Sequence, residues 1–197
     1  LGFYPTDIEH VKMIKNALVF PSGKVNLFDP CCGKGFALEK LALNENADTY
    51  GIELDSIRRT EAEDRIKRVG FGSFFASRVS YECFHGIFLN PPYLSLIGEN
   101  GVKSRSEKRF LVESMYNLMQ GGVMIYIIPY YRLTMDICTV LCNNFENISV
   151  YRFLDSEFSK FKQVVVFGIK KSREENKEAA EKLSQYAMMP EKIPMID

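Results

Sequence analysis

Residues 28–36, Phe-Asp-Pro-Cys-Cys-Gly-Lys-Gly-Phe, are the stretch of the chain that decides its fold class. They follow a short apolar run, Val25–Phe28, and precede a segment with helical spacing from Phe36 to Leu43. Glycines at a strand-to-helix turn let the backbone reverse sharply and approach a ligand closely. The stretch therefore predicts a strand, a ligand-binding turn and a helix.

An acidic residue stands at the end of the next predicted strand, Thr49–Glu53, eighteen residues after Gly35. A carboxylate at that point can accept hydrogen bonds from ribose hydroxyls, which predicts an adenosine-containing cofactor. The dinucleotide fingerprint needs a third glycine, but Leu38 stands in its place, which disfavours NAD. The alternative is a tight turn followed by a solvated acidic residue.

The rest of the chain alternates short apolar runs with amphipathic segments, which predicts an α/β fold with a mostly parallel sheet. Further strands are predicted at Phe74–Ala76, Gly86–Leu89, Val123–Ile128, Ile148–Phe153 and Val164–Ile169. Further helices are predicted at residues 6–18, 55–69, 105–119, 131–143 and 172–188, with Thr6 as the cap of the first. The polar last helix is expected to be solvated or to begin a missing element.

The composition favours a single globular domain. The 197 residues, 46% of them hydrophobic, can fill one core, and no apolar run reaches the ~18–20 residues that span a bilayer. The five cysteines show neither a disulfide framework nor a zinc pattern, so we expect reduced thiols, no metal and a cytoplasmic location. The chain has a formal net charge of zero. Any contact with nucleic acid would therefore need a local basic patch, such as Lys103–Arg109, or a missing part of the protein.

The most informative tetrapeptide is Asn90-Pro91-Pro92-Tyr93, directly after the predicted strand Gly86–Leu89. An aryl amine is a poor nucleophile because its lone pair is delocalised, and two acceptors on its hydrogens would localise that pair. The Asn90 side-chain oxygen and the Pro91 carbonyl can supply these acceptors, since proline brings no competing N–H. Tyr93 offers a face for stacking. The alternative is a turn that merely ends the strand.

Three motifs together resemble class I S-adenosylmethionine-dependent methyltransferases of the amino-methylating branch, and most of all the adenine-N6 DNA methyltransferases. Residues 3–6, Phe-Tyr-Pro-Thr, resemble the motif that holds the methionine carboxylate. Residues 29–35 resemble the cofactor glycine loop, and residues 90–93 resemble the catalytic motif. The motif order is the gamma arrangement, and the resemblance covers residues 2–171. RNA guanine-N2 and release-factor glutamine methyltransferases share the tetrapeptide.

The resemblance implies a Rossmann-like, doubly wound sheet of seven strands in the order 3-2-1-4-5-7-6, with the last strand antiparallel. It implies S-adenosylmethionine as cofactor, bound by Tyr4, Pro5, Thr6, Asp29, Pro30, Cys31, Gly33, Gly35, Glu53, Leu54, Ser77 and Asn90. It implies catalysis by Asn90, Pro91, Pro92 and Tyr93. The substrate would contact Tyr93, Phe158, Phe161 and Lys162, with Phe158 as the first choice and Phe161 as the second for the residue against a flipped base. The alternative is that both rings simply pack against the sheet.

The sequence also departs from the family pattern. Ser77 stands where an Asp commonly binds the adenine amine, and it is a weaker acceptor. His85 replaces a frequent Asp and is expected to make a local hydrogen bond, whereas His10 is expected to lie on the surface.

The domain expectation is a catalytic domain of residues 1–171 and a helical tail of residues 172–197. A partner subunit or a missing domain would then recognise the nucleic acid, with DNA favoured. The remaining hypotheses are an RNA or protein amino methyltransferase and a non-catalytic cofactor-binding subunit.

Overall fold

A computed structural model of the chain describes residues 5–92, 95–97, 103–153, 158 and 161–196. At its centre is a seven-stranded sheet. Its strands are β1 Val25–Asp29, β2 Ala47–Glu53, β3 Arg68–Phe71, β4 Phe84–Leu89, β5 Leu118–Pro129, β6 Phe145–Arg152 and β7 Gln163–Lys170. A separate antiparallel hairpin pairs Ser95–Ile97 with Lys103–Arg105.

The strand order is β3-β2-β1-β4-β5-β7-β6. Strands β1 to β5 run parallel, and β7 is antiparallel to both of its neighbours. The predicted order and the antiparallel last strand are confirmed. The order reverses between β1 and β4, and ligands of open α/β sheets bind outside the carboxyl ends of the strands at such a point. Asp29, Glu53 and Asn90 lie at or just beyond these ends.

Helices cover both faces of the sheet. Those whose bounds lie fully within the described residues are α1 Ile8–Asn16, α2 Phe36–Ala42, α3 Ser56–Glu63, α4 Ser106–Met115, α5 Met135–Asn144 and α6 Lys177–Ser184. Buried residues of α1 to α3 form one core cluster, and those of α4 to α6 form the other. Along β5, Tyr126 and Ile128 join the α4–α6 cluster while Ile127 joins the opposite one, as the period of two requires.

The predicted third strand is wrong. Phe74–Ala76 forms a 3-10 turn, and the edge strand is Arg68–Phe71, part of which the sequence assigned to a helix of residues 55–69. Strand β3 is mostly exposed and therefore lacks the apolar run by which strands were identified. Phe74 instead packs its ring against Phe28, at 6.0 Å between centroids.

Two expectations for single residues of the first helix are wrong. Asp7 rather than Thr6 caps α1, and its Oδ1 accepts a hydrogen bond from the Glu9 backbone N–H at 2.8 Å. His10 is only 3% exposed and stacks on Phe153, with 4.1 Å between ring centroids. The expectation for His85 is confirmed, since its Nδ1 accepts a hydrogen bond from the Asn26 backbone N–H at 3.0 Å.

The last segment contributes to the core. Helix α6 ends at Ser184, earlier than expected, and its Ala180 and Leu183 are buried in the cluster of α4 to α6. Further on, Ile193 and Ile196 are 1% and 2% exposed. The segment is thus packed along one side rather than fully solvated. No helix among the described residues is long and apolar enough to cross a membrane.

Candidate functional site

A cavity of about 340 Å³ opens at the carboxyl ends of β1 and β4. It is lined by Pro5, Thr6, Asp29, Cys31, Cys32, Lys34, Phe36, Ala37, Phe88 and Asn90. The structure thus brings together predicted residues from all three motifs. Tyr4 and Tyr93 lie outside the described residues.

The glycine loop takes a shape that side chains would strain. Gly33 and Gly35 have φ angles of +55° and +82°, in the left-handed region, and Gly35 directly precedes α2. A Cβ on Gly35 would lie 3.3 Å from Ala62 of α3. The loop is also pinned to β2, because the Cys32 N–H donates to the Ile52 carbonyl at 3.0 Å.

Glu53 ties the end of β2 to this loop. Its carboxylate is 5% exposed and accepts hydrogen bonds from the backbone N–H groups of Gly33 and Asp55, both at 2.8 Å. Arg58 of α3 pairs with the same carboxylate, its Nη2 lying 2.7 Å from Oε1. The next residue, Leu54, is 68% exposed and presents an apolar surface beside Glu53.

Asp29 places a buried carboxyl group in the cavity lining. It is 4% exposed and accepts a hydrogen bond from the Cys31 N–H at 2.8 Å. Burial raises the pKa of Asp29 to about 7; the nearby Glu53 carboxylate adds to this effect, and the Cys31 N–H opposes it. A bound cation would favour the ionised form, so the group is suited to an ammonium ligand.

The loop after β4 is held at three points. Asn90 donates from Nδ2 to Thr6 Oγ1 at 2.9 Å, which fixes the orientation of its amide. The Cys31 thiol donates to the Asn90 backbone carbonyl at 3.4 Å, and the Ser106 hydroxyl donates to the Pro92 carbonyl. The Pro91 carbonyl stands between these two in sequence. It accepts no hydrogen bond from any residue that the structure describes.

Two predicted aromatic residues differ in exposure. Phe158 packs its ring against Tyr130, at 5.6 Å between centroids, and against the core cluster of α4 to α6. Phe161 is 36% exposed, and the neighbouring Lys162 is exposed with a φ of 56°. Phe161 is therefore the more accessible of the two candidate stacking residues.

Several predicted cofactor residues lie away from the lining of this cavity. Ser77 donates from its hydroxyl to the Ser73 carbonyl at 2.9 Å and lines a different cavity, of about 320 Å³, with Phe74 and Glu113. Pro30 is buried within the loop. Gly33, Gly35, Glu53 and Leu54 are likewise not among the lining residues, although the Gly33 N–H donates to the Glu53 carboxylate next to the lining residue Cys32.

Other residues that line the cavity were not predicted from the sequence. Lys34 lies within the glycine loop and pairs with Glu61 at 3.1 Å, and Phe36 begins α2. Phe88 stands two residues before Asn90, so the period of two along β4 could have identified it.

The family described as "Uncharacterised methyltransferase family (DUF6094)" matches residues 1–197 of the chain. No curated protein sequence matches it.

Solved structures of methyltransferases are similar in fold. A predicted O-methyltransferase from Agrobacterium tumefaciens has a TM-score of 0.62 at 17% identity, over 82% of this chain and 81% of that one. A TehB-like S-adenosylmethionine-dependent methyltransferase from Corynebacterium glutamicum has a TM-score of 0.59 at 17% identity, over 84% and 89%. An RNA methyltransferase from Salinibacter ruber, in complex with S-adenosyl-L-homocysteine, has a TM-score of 0.54 at 18% identity, over 88% and 98%.

Proposed function

Since the chain belongs to the uncharacterised methyltransferase family DUF6094, we propose that it transfers a methyl group from S-adenosylmethionine to an exocyclic amino nitrogen, namely N6 of adenine in DNA. The observation that carries this proposal is the hydrogen bonding of three consecutive backbone carbonyls in the loop after β4. The carbonyls of Asn90 and Pro92 are bonded to protein donors, whereas that of Pro91 has none among the described residues.

The residues around the cavity fit the cofactor. The buried Asp29 carboxyl suits the α-ammonium group, and Glu53 has the position along the fold at which a carboxylate meets ribose hydroxyls. Phe36 and Phe88 add apolar lining, and the loop glycines leave room for close approach. When bound, the cofactor supplies an electrophilic methyl group on a sulfonium.

The catalytic loop activates the amine by accepting hydrogen bonds from its N–H groups. The Asn90 side-chain oxygen and the Pro91 carbonyl each accept one such hydrogen bond, which localises the lone pair on nitrogen. The two prolines contribute no N–H that could compete for these acceptors. As the nitrogen–carbon bond forms, the carbon–sulfur bond of the sulfonium would break and S-adenosyl-L-homocysteine would leave. The alkylated nitrogen would then lose one acidic proton to solvent, so positioning rather than a strong base accounts for the rate.

The choice of DNA adenine rests on the likeness of the three motifs to adenine-N6 DNA methyltransferases. Phe161, 36% exposed, supports a planar acceptor, because an accessible ring can stack on a base. The neighbouring exposed Lys162 can contact a phosphate.

The test is transfer of labelled methyl groups from S-adenosylmethionine to unmethylated DNA, RNA and protein, each then digested and its modified components separated. We expect label in N6-methyladenine from DNA. Label in RNA or protein amino groups alone would refute the DNA assignment and leave the chemistry standing. Label in oxygen or carbon atoms, or in none of the acceptors, would overturn the proposed chemistry.

A further inference from the structure

The first turn of α4 contacts the catalytic loop through buried polar groups. Ser106 is 1% exposed, and its hydroxyl donates to the Pro92 carbonyl. The same hydroxyl lies 3.3 Å from Oε2 of Glu107, which is also 1% exposed. A carboxylate is rarely so deeply buried unless it is paired, so its presence beside the loop calls for a physical reason.

Glu107 is held from the other side by the end of β5. Arg132, in the 3-10 turn Tyr130–Arg132 that follows β5, places its Nε 3.5 Å from Glu107 Oε1. The Tyr126 hydroxyl donates to the Glu107 backbone carbonyl at 3.1 Å. The first turn of α4 is thus fixed to the turn after β5 by a side-chain ion pair, and to β5 itself by a hydrogen bond to its backbone.

We propose that Ser106, Glu107 and Arg132 are positioning residues that set the orientation of the Pro91 carbonyl, an inference that rests on the proposed function. Proline has a fixed φ, so the direction of the Pro91 carbonyl depends on how the next peptide unit is held. Ser106 holds that unit through the Pro92 carbonyl oxygen, and the Glu107–Arg132 pair fixes the turn of α4 that carries Ser106. A misplacement of about 1 Å can cost ~100-fold in rate.

The decisive experiment compares Ser106→Ala with Ser114→Ala in the full chain. Ser114 lies on the same helix, is 0% exposed, and donates to the Leu111 carbonyl at 3.3 Å within that helix, so it controls for loss of a buried hydroxyl. Under single-turnover conditions we expect Ser106→Ala to slow methyl transfer about 10- to 100-fold, with the Kd for S-adenosylmethionine changed by less than about twofold. Ser114→Ala should leave both values within about twofold of wild type.

The ion pair is tested in the same assay. Glu107→Gln keeps the size of the side chain beside Ser106 but removes the charge that pairs with Arg132, so the rate should fall. Adding Arg132→Gln should then lower the rate by less than it does in the wild-type background, because the two changes break one interaction. If the rate reductions of the two single variants simply multiply in the double variant, the two residues act independently and the role of the pair is overturned.

A second readout does not depend on activity. Hydrogen–deuterium exchange in a peptide spanning residues 86–97 should be faster in Ser106→Ala than in wild type, and unchanged in Ser114→Ala. If wild type methylates no acceptor, the proposed function fails, whereas exchange still decides whether Ser106 holds the loop. Equal exchange in the two variants, or faster exchange with an unchanged methyl-transfer rate, would overturn the positioning role.

Discussion

The ionisation of Asp29 should control the affinity for the cofactor. Its pKa is raised to about 7 by burial, so at pH 5–6 it is mostly protonated in the free protein. A cationic ligand stabilises the carboxylate, so the affinity for S-adenosylmethionine should rise about tenfold per unit between pH 5 and pH 7 and then level off. The ligand's α-ammonium stays protonated across this range, since such groups have a pKa of about 7.7–8.0.

Calorimetric titrations at several pH values check this prediction, with Asp29→Asn as the control. The variant should bind more weakly at pH 7 and show a flat profile over the same range. A wild-type profile as flat as that of the variant would contradict the role of Asp29.

The same residue predicts how the stability of the ligand-free protein depends on pH. The pKa of Asp29 is about 7 in the folded protein and about 3.9 in an unfolded chain, so the folded state binds more protons between these values. The contribution of Asp29 to the free energy of unfolding therefore falls as pH rises from about 4 to 7. Urea unfolding measures the free energy of unfolding of wild type and of Asp29→Asn. The value for wild type, relative to that of the variant, should fall as pH rises from about 4 to 7, and a difference that stays constant with pH would contradict this prediction.

Site residues within local motifs were predictable from the sequence, and those that depend on tertiary contacts were not. Asp29 and Asn90 each directly follow a predicted strand, and their motifs assigned them to the cofactor loop and to the catalytic loop. Ser106 reaches Pro92 only because a hairpin brings α4 back over the loop. His10 was misjudged because its burial depends on Phe153, far along the chain.

At the scale of elements, the glycine loop packs onto β2 through one glycine. A Cβ on Gly51 would lie 2.6 Å from Cys32 Sγ and 2.9 Å from the Ile66 side chain. Gly51→Ala should therefore lower the free energy of unfolding by about 1–3 kcal/mol through overpacking. Gly23→Ala is the matched control, because a Cβ there meets nothing within 4 Å. Chemical denaturation measures both, and equal values would refute the packing argument.

Strand β3 shows where pattern-based prediction of elements fails. Arg68, Gly70 and Phe71 are exposed. An exposed charged residue followed by a glycine is also typical of the end of a helix. What makes β3 a strand is pairing with β2, from Tyr50 opposite Arg68 to Glu53 opposite Phe71. An edge strand that is largely exposed carries no local apolar signal, so only the sheet as a whole identifies it.

At the scale of the whole molecule, the C-terminal segment should contribute to stability. Ile193 is 1% exposed within the cluster of α4 to α6, whereas Met188 is 84% exposed. Ile193→Ala should lower the free energy of unfolding by about 2–5 kcal/mol, and Met188→Ala by less than about 0.5 kcal/mol. Urea titration measures the difference. Similar small effects for both would mean that residues 172–197 form a separate tail.

The overall topology was the most predictable property. Strand number and order followed from the resemblance of the motifs, and the structure has the predicted order with an antiparallel β7. The same order brings Thr6, Asp29 and Asn90 to one cavity. The resemblance implied the strand order as a whole, whereas each strand boundary had to be judged from a few local residues, which is why the boundaries were less well predicted.

The central claim, that Asn90 activates an amino group for methylation, is tested most directly by a single-turnover assay of Asn90→Ala at saturating S-adenosylmethionine and unmethylated DNA. We expect the variant to bind the cofactor with a Kd within about tenfold of wild type but to transfer methyl groups to adenine at least ~100-fold more slowly. A variant that methylates adenine at the wild-type rate would contradict the assignment of the loop after β4 as the catalytic element.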